Sequence, residues 1–498
     1  VLRSAGLRWY PSPWQVVLLD GALGALAYSL AMFVRFVPEE SVPQTYAVRA
    51  IAWALPAALL QIGVGEVMTR LRHPRSRLAH RPVLPFLIAI FGGLIVLMVL
   101  NDLLVPLSWR LPHFVVLFGP LLAGAGSAAV RMAANQPFSP EELLPRRAVR
   151  LELDACAGVL GGKRVLITGA AGSIGAELAR QVALLRPACL IVVDVNETGL
   201  FELESALGGS AVTTCIADVA DGSSLRRLFE QVRPQVVFHA AAYKHVPLLE
   251  TNPAQGFVAN VIGTLRVCEA ATAVGAERVV VISTDKAVNP SSFMGLTKRV
   301  AELIVAACAL QTESTVFSAV RFGNVLGSRG SVVPTLLRQV DAGGPVTITH
   351  RDAQRFFMTI SEAASLVLLT AAVGQPGGIF VLDMGEALRI KELAERLVRL
   401  RGLRPGVDIS FAYVGLRPGE KLREELSGEG ETLVTTPHPY VRRVQTSWRV
   451  DAARLLEGVQ ALDDQRLRGR IDAAAYAPAL RTLIASAIRW SSEPVLSS

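Results

Sequence analysis

Chemistry in this chain gathers where short apolar runs end in glycine, small residues or charge. The densest such place is Thr168–Gly175, TGAAGSIG, which closes the apolar run Lys163–Thr168 and opens a helical stretch, Ala176–Leu185. Gly169 permits a tight turn, Gly172 lets backbone approach a phosphate, and Gly175 lets helix and strand pack closely. Ser173 and Ile174 fall at the helix N-terminus, whose amides and dipole face negative charge. The chemistry is pyrophosphate binding. The next run, Leu190–Val193, ends in Asp194, whose carboxylate suits the two ribose hydroxyls of NAD and repels the extra phosphate of NADP. Val212–Ala217 leads into Asp218 and Val219, neighbours of an adenine edge. Gln235–His239 leads into Ala240, Ala241 and Ala242, small enough for a cofactor to pass close by. Arg278–Ile282 leads into Ser283, Thr284, Asp285 and Lys286.

Those runs alternate with helical stretches. Alternation of this kind predicts an α/β domain, a parallel sheet doubly wound with helices on both faces, its site at the carboxyl ends of the strands. The domain is expected over 161–450, a dinucleotide-binding core with a smaller C-terminal substrate-binding part. Residues 451–498 have helical period and read as a tail without visible chemistry.

The remainder is of another kind. The chain has 498 residues, 51% of them apolar, and its mean hydropathy is positive. Four apolar stretches, Trp14–Val37, Ala50–Gly65, Val83–Leu100 and Leu111–Val130, predict a four-helix transmembrane anchor over 1–135. A signal peptide would explain one stretch, not four. Arginines crowd Arg70–Arg81 and both ends of the segment, while Pro38–Val48 and Asn101–Ser108 are poor in them, so both termini face the cytoplasm. Residues 136–160, with Pro137, Pro140 and Pro145, read as a linker. The formal charge of +8 comes from arginine, with only six lysines in the chain. Anionic lipid and topology explain the basic charge, so no nucleic-acid partner is expected. The five cysteines form no C-x-x-C pair and read as ordinary thiols, and no metal site is expected.

The motifs carry a specific resemblance. TGxxGxxG resembles the extended short-chain dehydrogenase/reductase superfamily. HAAAYKHVPLLE (His239–Glu250), NVIGT (Asn260–Thr264), STDKAVNPSSFMGLTKR (Ser283–Arg299), RFGNVLGSRGSVVP (Arg321–Pro334), RFFMTISEA (Arg355–Ala363) and GLRPGEKL (Gly415–Leu422) narrow it. Together they look like the CapD-like branch, membrane-bound nucleotide-sugar 4,6-dehydratases of polysaccharide biosynthesis. The resemblance covers 161 to about 445 densely and the anchor more loosely. Long members carry an additional Rossmann-like domain between anchor and dehydratase, where about 25 residues stand here. The stretch Thr349–Asp352 reads THRD where THPD is expected, which puts the charge of Arg351 near the substrate side.

The resemblance implies a reaction and roles. Hydride leaves sugar carbon 4 for NAD, a base takes the carbon 5 proton, an acid helps the carbon 6 hydroxyl leave as water, and the hydride returns to carbon 6. NAD is regenerated each turnover and stays bound. By position Thr284 contacts the carbon 4 oxygen, Asp285 is the acid at the carbon 6 oxygen, and Lys286 is the carbon 5 base, with a pKa pulled down by burial beside NAD and Lys298. Where the superfamily has Tyr-x-x-x-Lys, this chain has Met294 and Lys298. Lys298 fits the nicotinamide ribose. Met294 takes no proton, so oxidation at carbon 4 uses Asp285, a water, or a relay through Thr284. Asn260 falls on the cofactor side. Asn324 resembles a diphosphate-sugar contact, Arg417 and Glu420 a diphosphate and ribose clamp, and Arg355 a further substrate contact. Lys244 and His245 stand between substrate contact and structural use. The implied substrate is UDP-N-acetylglucosamine, converted to a UDP-4-keto-6-deoxy sugar with configuration at carbon 5 retained. A homo-oligomer is expected, multi-pass in the inner membrane, with membrane lipid as a partner and a cytoplasmic catalytic domain. The alternatives are a nucleotide-sugar 4-epimerase, which would keep the tyrosine and need no Asp285–Lys286 pair, and a non-catalytic NAD-binding membrane scaffold.

Overall fold

Short apolar runs rich in Val and Ile form the central strands, because such runs satisfy a sheet buried on both faces. The computed structural model describes residues 140–146, 154–208 and 212–490, with Ala22 and Leu26. The expected anchor over 1–135 and part of the expected linker lie outside the described residues. Among the described residues no helix is long and apolar enough to cross a membrane.

The chain divides into two compact units. The described part of the smaller is essentially Leu336–Val346 and Ala394–Ala412. In its described part Arg401 Nε donates to Asp341 Oδ1 at 2.9 Å. The larger unit, Pro140–Thr335, Thr347–Leu393 and Tyr413–Ser498, carries the candidate site.

Its elements in chain order are α1 (Asp154–Leu160), β1 (Arg164–Thr168), α2 (Ser173–Leu184), β2 (Cys189–Asp194), α3 (Glu197–Leu207), β3 (Val212–Ile216), α4 (Gly222–Val232) and β4 (Val236–His239). There follow α5 (Gly263–Ala273), β5 (Arg278–Ile282), α6 (Phe293–Gln311), β6 (Val316–Arg321), α7 (Ile360–Val373) and β7 (Gly378–Leu382). The last are β8 (Glu431–Thr435), β9 (Val441–Thr446), α8 (Ala452–Leu467) and α9 (Tyr476–Ala487). Nine strands form one sheet in the order β3-β2-β1-β4-β5-β6-β7-β9-β8. The first seven run parallel; β9 pairs antiparallel with β7, and β8 with β9. Strand order reverses between β1 and β4, where a doubly wound sheet opens a crevice at its carboxyl end.

Alternate residues feed opposite layers. Leu166, Val237, Val279 and Val281 pack with Phe229 of α4, Leu265 of α5 and Val300 of α6. Val165, Ile167, Phe238 and Val280 pack with Leu160 of α1, Leu178 of α2, Leu200 of α3 and Leu366 of α7. The C-terminal segment expected as a tail is helical, as its period predicts, but it builds core. Leu455 and Val459 of α8 and Tyr476 and Leu480 of α9 are buried in the first layer. Strands Trp448–Val450 and Ile488–Trp490 pair antiparallel beneath them.

The described part of the expected linker is also tied down. Leu143 and Leu144 are buried. Arg146 Nη1 donates to Glu362 Oε1 at 2.6 Å and Nε to the Met384 carbonyl at 2.9 Å. Glu362 completes the capping box of α7 with Thr359. A proline-rich stretch looks like a spacer in sequence; here an arginine and two leucines dock it.

Candidate active site

The glycine turn between β1 and α2 takes the form its spacing predicts. Gly169 has φ +67°, and a Cβ there would lie 2.7 Å from the Ala240 carbonyl oxygen. A Cβ at Gly175 would come within 2.8 Å of Ala170 Cα and collide with the Gly169 carbonyl. At Gly172 a Cβ would meet only the Gly169 carbonyl oxygen, at 3.0 Å, and otherwise occupy open space. No side chain caps α2 at Gly172, so its first amides are available to an anion. Gly169, Gly172, Ser173, Ile174 and Gly175 line a cavity of about 530 Å³, as do Ala240, which abuts Gly169, and Ala242. Open backbone, an uncapped helix start and small neighbours fit a dinucleotide's pyrophosphate.

The other expected cofactor residues lie differently. Asp194 accepts from the Ala171 amide at 2.9 Å and from the Asn196 amide at 2.9 Å, so one carboxylate oxygen braces the glycine turn and the other its own segment. Asp218 accepts from the Ala220 amide at 2.9 Å, and Val219 packs against Gly263. Neither they, Ala241 nor Asn260 line the cavity. Asn260 sits fully buried in a π-helical turn, Val258–Ile262. Its Oδ1 accepts from the Tyr243 amide at 2.8 Å, and its Nδ2 donates to the Tyr243 carbonyl at 3.0 Å and to Thr297 Oγ1 at 3.0 Å. It fixes the backbone at Tyr243, next to Lys244, and has no free donor for a cofactor.

The loop after β5 carries the polar cluster into the same cavity. Thr284, Lys286, Met294 and Lys298 line it, as does Asn324. Asp285 is fully buried behind them. Its Oδ1 accepts from Thr284 Oγ1 at 2.9 Å and from Lys286 Nζ at 2.9 Å; its Oδ2 has no partner. Lys286 also donates to Asn324 Oδ1 at 3.2 Å. The expected depression of the Lys286 pKa is reversed. Burial lowers it, but the Asp285 and Glu424 carboxylates outweigh burial, so the net shift is upward. Lys298 behaves as expected of a buried amine: burial brings its pKa down to about 8, and Nζ donates to the Ile282 carbonyl at 2.6 Å.

Lys244 and His245 line the cavity, and burial lowers the pKa of each, helped by Arg329 for Lys244 and by Lys244 for His245. Arg355, Arg417 and Glu420 do not line it. Glu420 Oε1 accepts from Arg355 Nη2 at 2.8 Å and from Thr349 Oγ1 at 2.9 Å, while its Oε2 accepts from the Arg417 amide at 3.2 Å. Arg351 stands over the Tyr413 ring at 5.0 Å.

Three residues were not singled out in the sequence. Arg329 donates from its amide to Ser173 Oγ at 3.1 Å and from Nη2 to the Ala171 carbonyl at 2.6 Å, tying its loop to the glycine turn. Glu424 is buried, with Oε1 3.7 Å from Lys286 Nζ. Glu302 of α6 accepts from Ser283 Oγ at 2.7 Å, beside Thr284, and pairs with Arg321 at 2.7 Å. Of the three, only Arg329 lies within a motif quoted above, Arg321–Pro334.

Much of this sequence is shared with known proteins. Residues 165–446 match the family described as "Polysaccharide biosynthesis protein". The chain is 42% identical over 372 residues to the probable polysaccharide biosynthesis protein EpsC of Bacillus subtilis, covering 73% of this chain and 60% of that protein. It is 44% identical over 296 residues to the capsular polysaccharide biosynthesis protein CapD of Staphylococcus aureus, covering 58% and 49%. It thus spans only about half to three fifths of these relatives. At lower identity stand both a UDP-glucose 4-epimerase of Rickettsia bellii (35%, 54% of this chain and 79% of that one) and a UDP-N-acetylglucosamine 4,6-dehydratase (inverting) of Campylobacter jejuni (32%, 56% and 81%). Among solved structures, Pen from Bacillus thuringiensis superposes with a TM-score of 0.54 at 30% identity, covering 58% of this chain and 89% of that one. The chain belongs to the polysaccharide biosynthesis protein family.

Proposed function

We propose that this chain is an NAD-dependent nucleotide-sugar 4,6-dehydratase acting on UDP-N-acetylglucosamine. The observation that carries the reading is the hydrogen-bonded chain Thr284–Asp285–Lys286–Asn324, presented to the cavity that the glycine turn also lines. The chemistry that bound NAD supplies is reversible hydride transfer, from carbon 4 of the sugar and back to carbon 6. The residues move protons. Thr284 receives the proton of the carbon 4 hydroxyl and passes it to Asp285 Oδ1, which answers the absence of a tyrosine at Met294. Lys286 takes the proton from carbon 5. The proton held on Asp285 returns through Thr284, which lines the cavity, and leaves with the carbon 6 hydroxyl as water. Lys298 orients the nicotinamide ribose, Asn324 the sugar, and Lys244 the diphosphate. Asp194, at the end of β2, supports NAD over NADP, because a carboxylate there suits two ribose hydroxyls and repels an added phosphate.

A 4-epimerase is the second reading, favoured by the epimerase among the relatives. It has no use for a base at carbon 5, and the Lys286 ammonium held over the cavity is what disfavours it. The hydropathy of 1–135 supports an anchor in the cytoplasmic membrane with the catalytic unit inside. The test is incubation of the protein with UDP-N-acetylglucosamine and mass spectrometry. A product lighter by one water supports dehydration; an isomer of unchanged mass supports epimerisation.

A further inference from the structure

Counting protons at Lys286 exposes a requirement that Asp285 does not meet by itself. In the dehydratase reading, on which this inference rests, Asp285 holds the proton from oxygen 4 when Lys286 must be a neutral amine to attack carbon 5. Lys286 nevertheless rests as an ammonium, 2.9 Å from Asp285 Oδ1 and 3.7 Å from Glu424 Oε1. Two protons therefore need carboxylates at the same moment, one from oxygen 4 and one from the ammonium, and two carboxylates flank the amine.

We propose that Glu424 is the proton-accepting partner of Lys286, acting through the amine without touching the sugar. Its side chain is 3% exposed, and its Oε2 is buried without a hydrogen-bond partner. An ionised oxygen in that position is destabilised, so the carboxyl is poised to accept a proton. The groups facing it are few. Lys286 and Asp285 come from the segment after β5, and Arg355 Nε lies 3.8 Å away on the strand Gln354–Arg355. Lys421 shares its own segment. Arg355 is already committed to Glu420 Oε1 at 2.8 Å. Burial raises the Glu424 pKa and the Asp285 charge adds to the rise, against the pull of Lys286, Arg355 and Lys421. The segment is pinned in place: the Gln354 amide donates to the Leu422 carbonyl at 2.9 Å, and Arg423 bridges to Gln354.

The step balances. One N–H bond of the Lys286 ammonium breaks and one O–H bond forms on Glu424, leaving an amine and a carboxylic acid. The amine takes the carbon 5 proton. The electron pair of that C–H bond becomes the bond between carbons 5 and 6 as the carbon 6 C–O bond breaks, and the departing oxygen leaves as water with the proton from Asp285. When carbon 6 is reduced, Lys286 returns a proton to carbon 5 and Glu424 returns its own to the amine.

The test uses the whole chain, UDP-N-acetylglucosamine and Glu424→Gln, which keeps the side chain's size. Water loss should fall on the order of 10²-fold, while mixing with substrate still develops reduced-nicotinamide absorbance, because the first step does not need Glu424. The residual rate should climb with pH, since external base then removes the ammonium's proton, and the parent should lack that climb over the same range. Glu424→Asp should recover part of the rate. Water loss at the parent rate in Glu424→Gln overturns the proposal alone. Equal slowing of both steps with no pH climb overturns it too, because that is what a structural role predicts. Should Glu424→Gln fail to fold, Glu424→Asp decides: a normal first step with slowed water loss supports the proposal, and equal slowing overturns it. A parent that releases no water overturns the dehydratase reading and this proposal with it.

Discussion

Replacing Glu302 with alanine should unsettle the core and the catalytic loop together. Glu302 is fully buried and accepts four hydrogen bonds: from Ser283 Oγ, from Arg321 Nε and Nη2, each at 2.7 Å, and from Arg299 Nη1 at 3.0 Å. Arg321, also fully buried, would keep Glu431, at 2.6 and 3.1 Å, as its one carboxylate, with the Leu426 carbonyl at 3.5 Å. Arg299 would keep Glu431 at 2.9 Å and the Trp448 ring. Removing one partner of a buried ion pair costs about 3–5 kcal/mol, mostly because the remaining charge loses its compensation. At a few degrees per kcal/mol for a unit of this size, the melting temperature should drop on the order of 10 °C. Adding Arg321→Met should recover part of that loss, since it removes the under-paired guanidinium. Thermal and urea unfolding of both variants measure it. A loss under about 1 kcal/mol for Glu302→Ala, or no recovery in the double variant, would mean that Glu302 does not compensate the buried Arg321 charge. The Ser283 bond adds a second expectation, a weakened response to substrate at temperatures where the variant is still folded.

Burial, and to a lesser degree Lys298, holds the His239 pKa down at about 3 from its ordinary 6.5. Below pH 6.5 the unfolded chain binds a proton that the folded protein refuses. The contribution is therefore complete above 6.5 and fades as pH falls toward 3, by about 1.4 kcal/mol per pH unit. Urea midpoints across that window should show the slope, and His239→Gln should flatten it. Gly175→Ala should lose bound NAD and about 1–3 kcal/mol of stability, because its Cβ meets backbone that cannot yield. Gly158→Ala in α1, where a Cβ meets nothing within 4 Å, is the control and should be neutral or stabilising; equal losses in the two variants would contradict the steric argument.

The sheet was legible because its strands are near-continuous apolar runs bounded by turn residues, and the glycine turn because its three requirements are local in sequence. Thr284, Lys286, Met294, Lys298 and Asn324 were found by motif, and all five line one cavity. What stayed hidden depends on residues meeting across the fold. Asp285 could be named, but not its place behind Lys286. The expected sign of the Lys286 shift is reversed because Asp285, its neighbour in sequence, and then Glu424, from a distant segment, together outweigh burial. Asn260 looked like a cofactor contact, yet a π-helical turn aims its amide at Tyr243. The helical period of 451–498 predicted helix there but not the layer that α8 and α9 cover, since an amphipathic face does not name its partner.

The central claim is that Lys286 takes a proton from carbon 5 during loss of water. It is tested most directly by running the reaction on UDP-N-acetylglucosamine in deuterated water, returning the product to ordinary water, and locating the deuterium that remains. The product should be dehydrated, with deuterium at carbon 5 and none at carbon 6, and Lys286→Ala should show neither dehydration nor exchange although it still binds NAD. A dehydrated product without deuterium at carbon 5, or Lys286→Ala turning over at the parent rate, would contradict it.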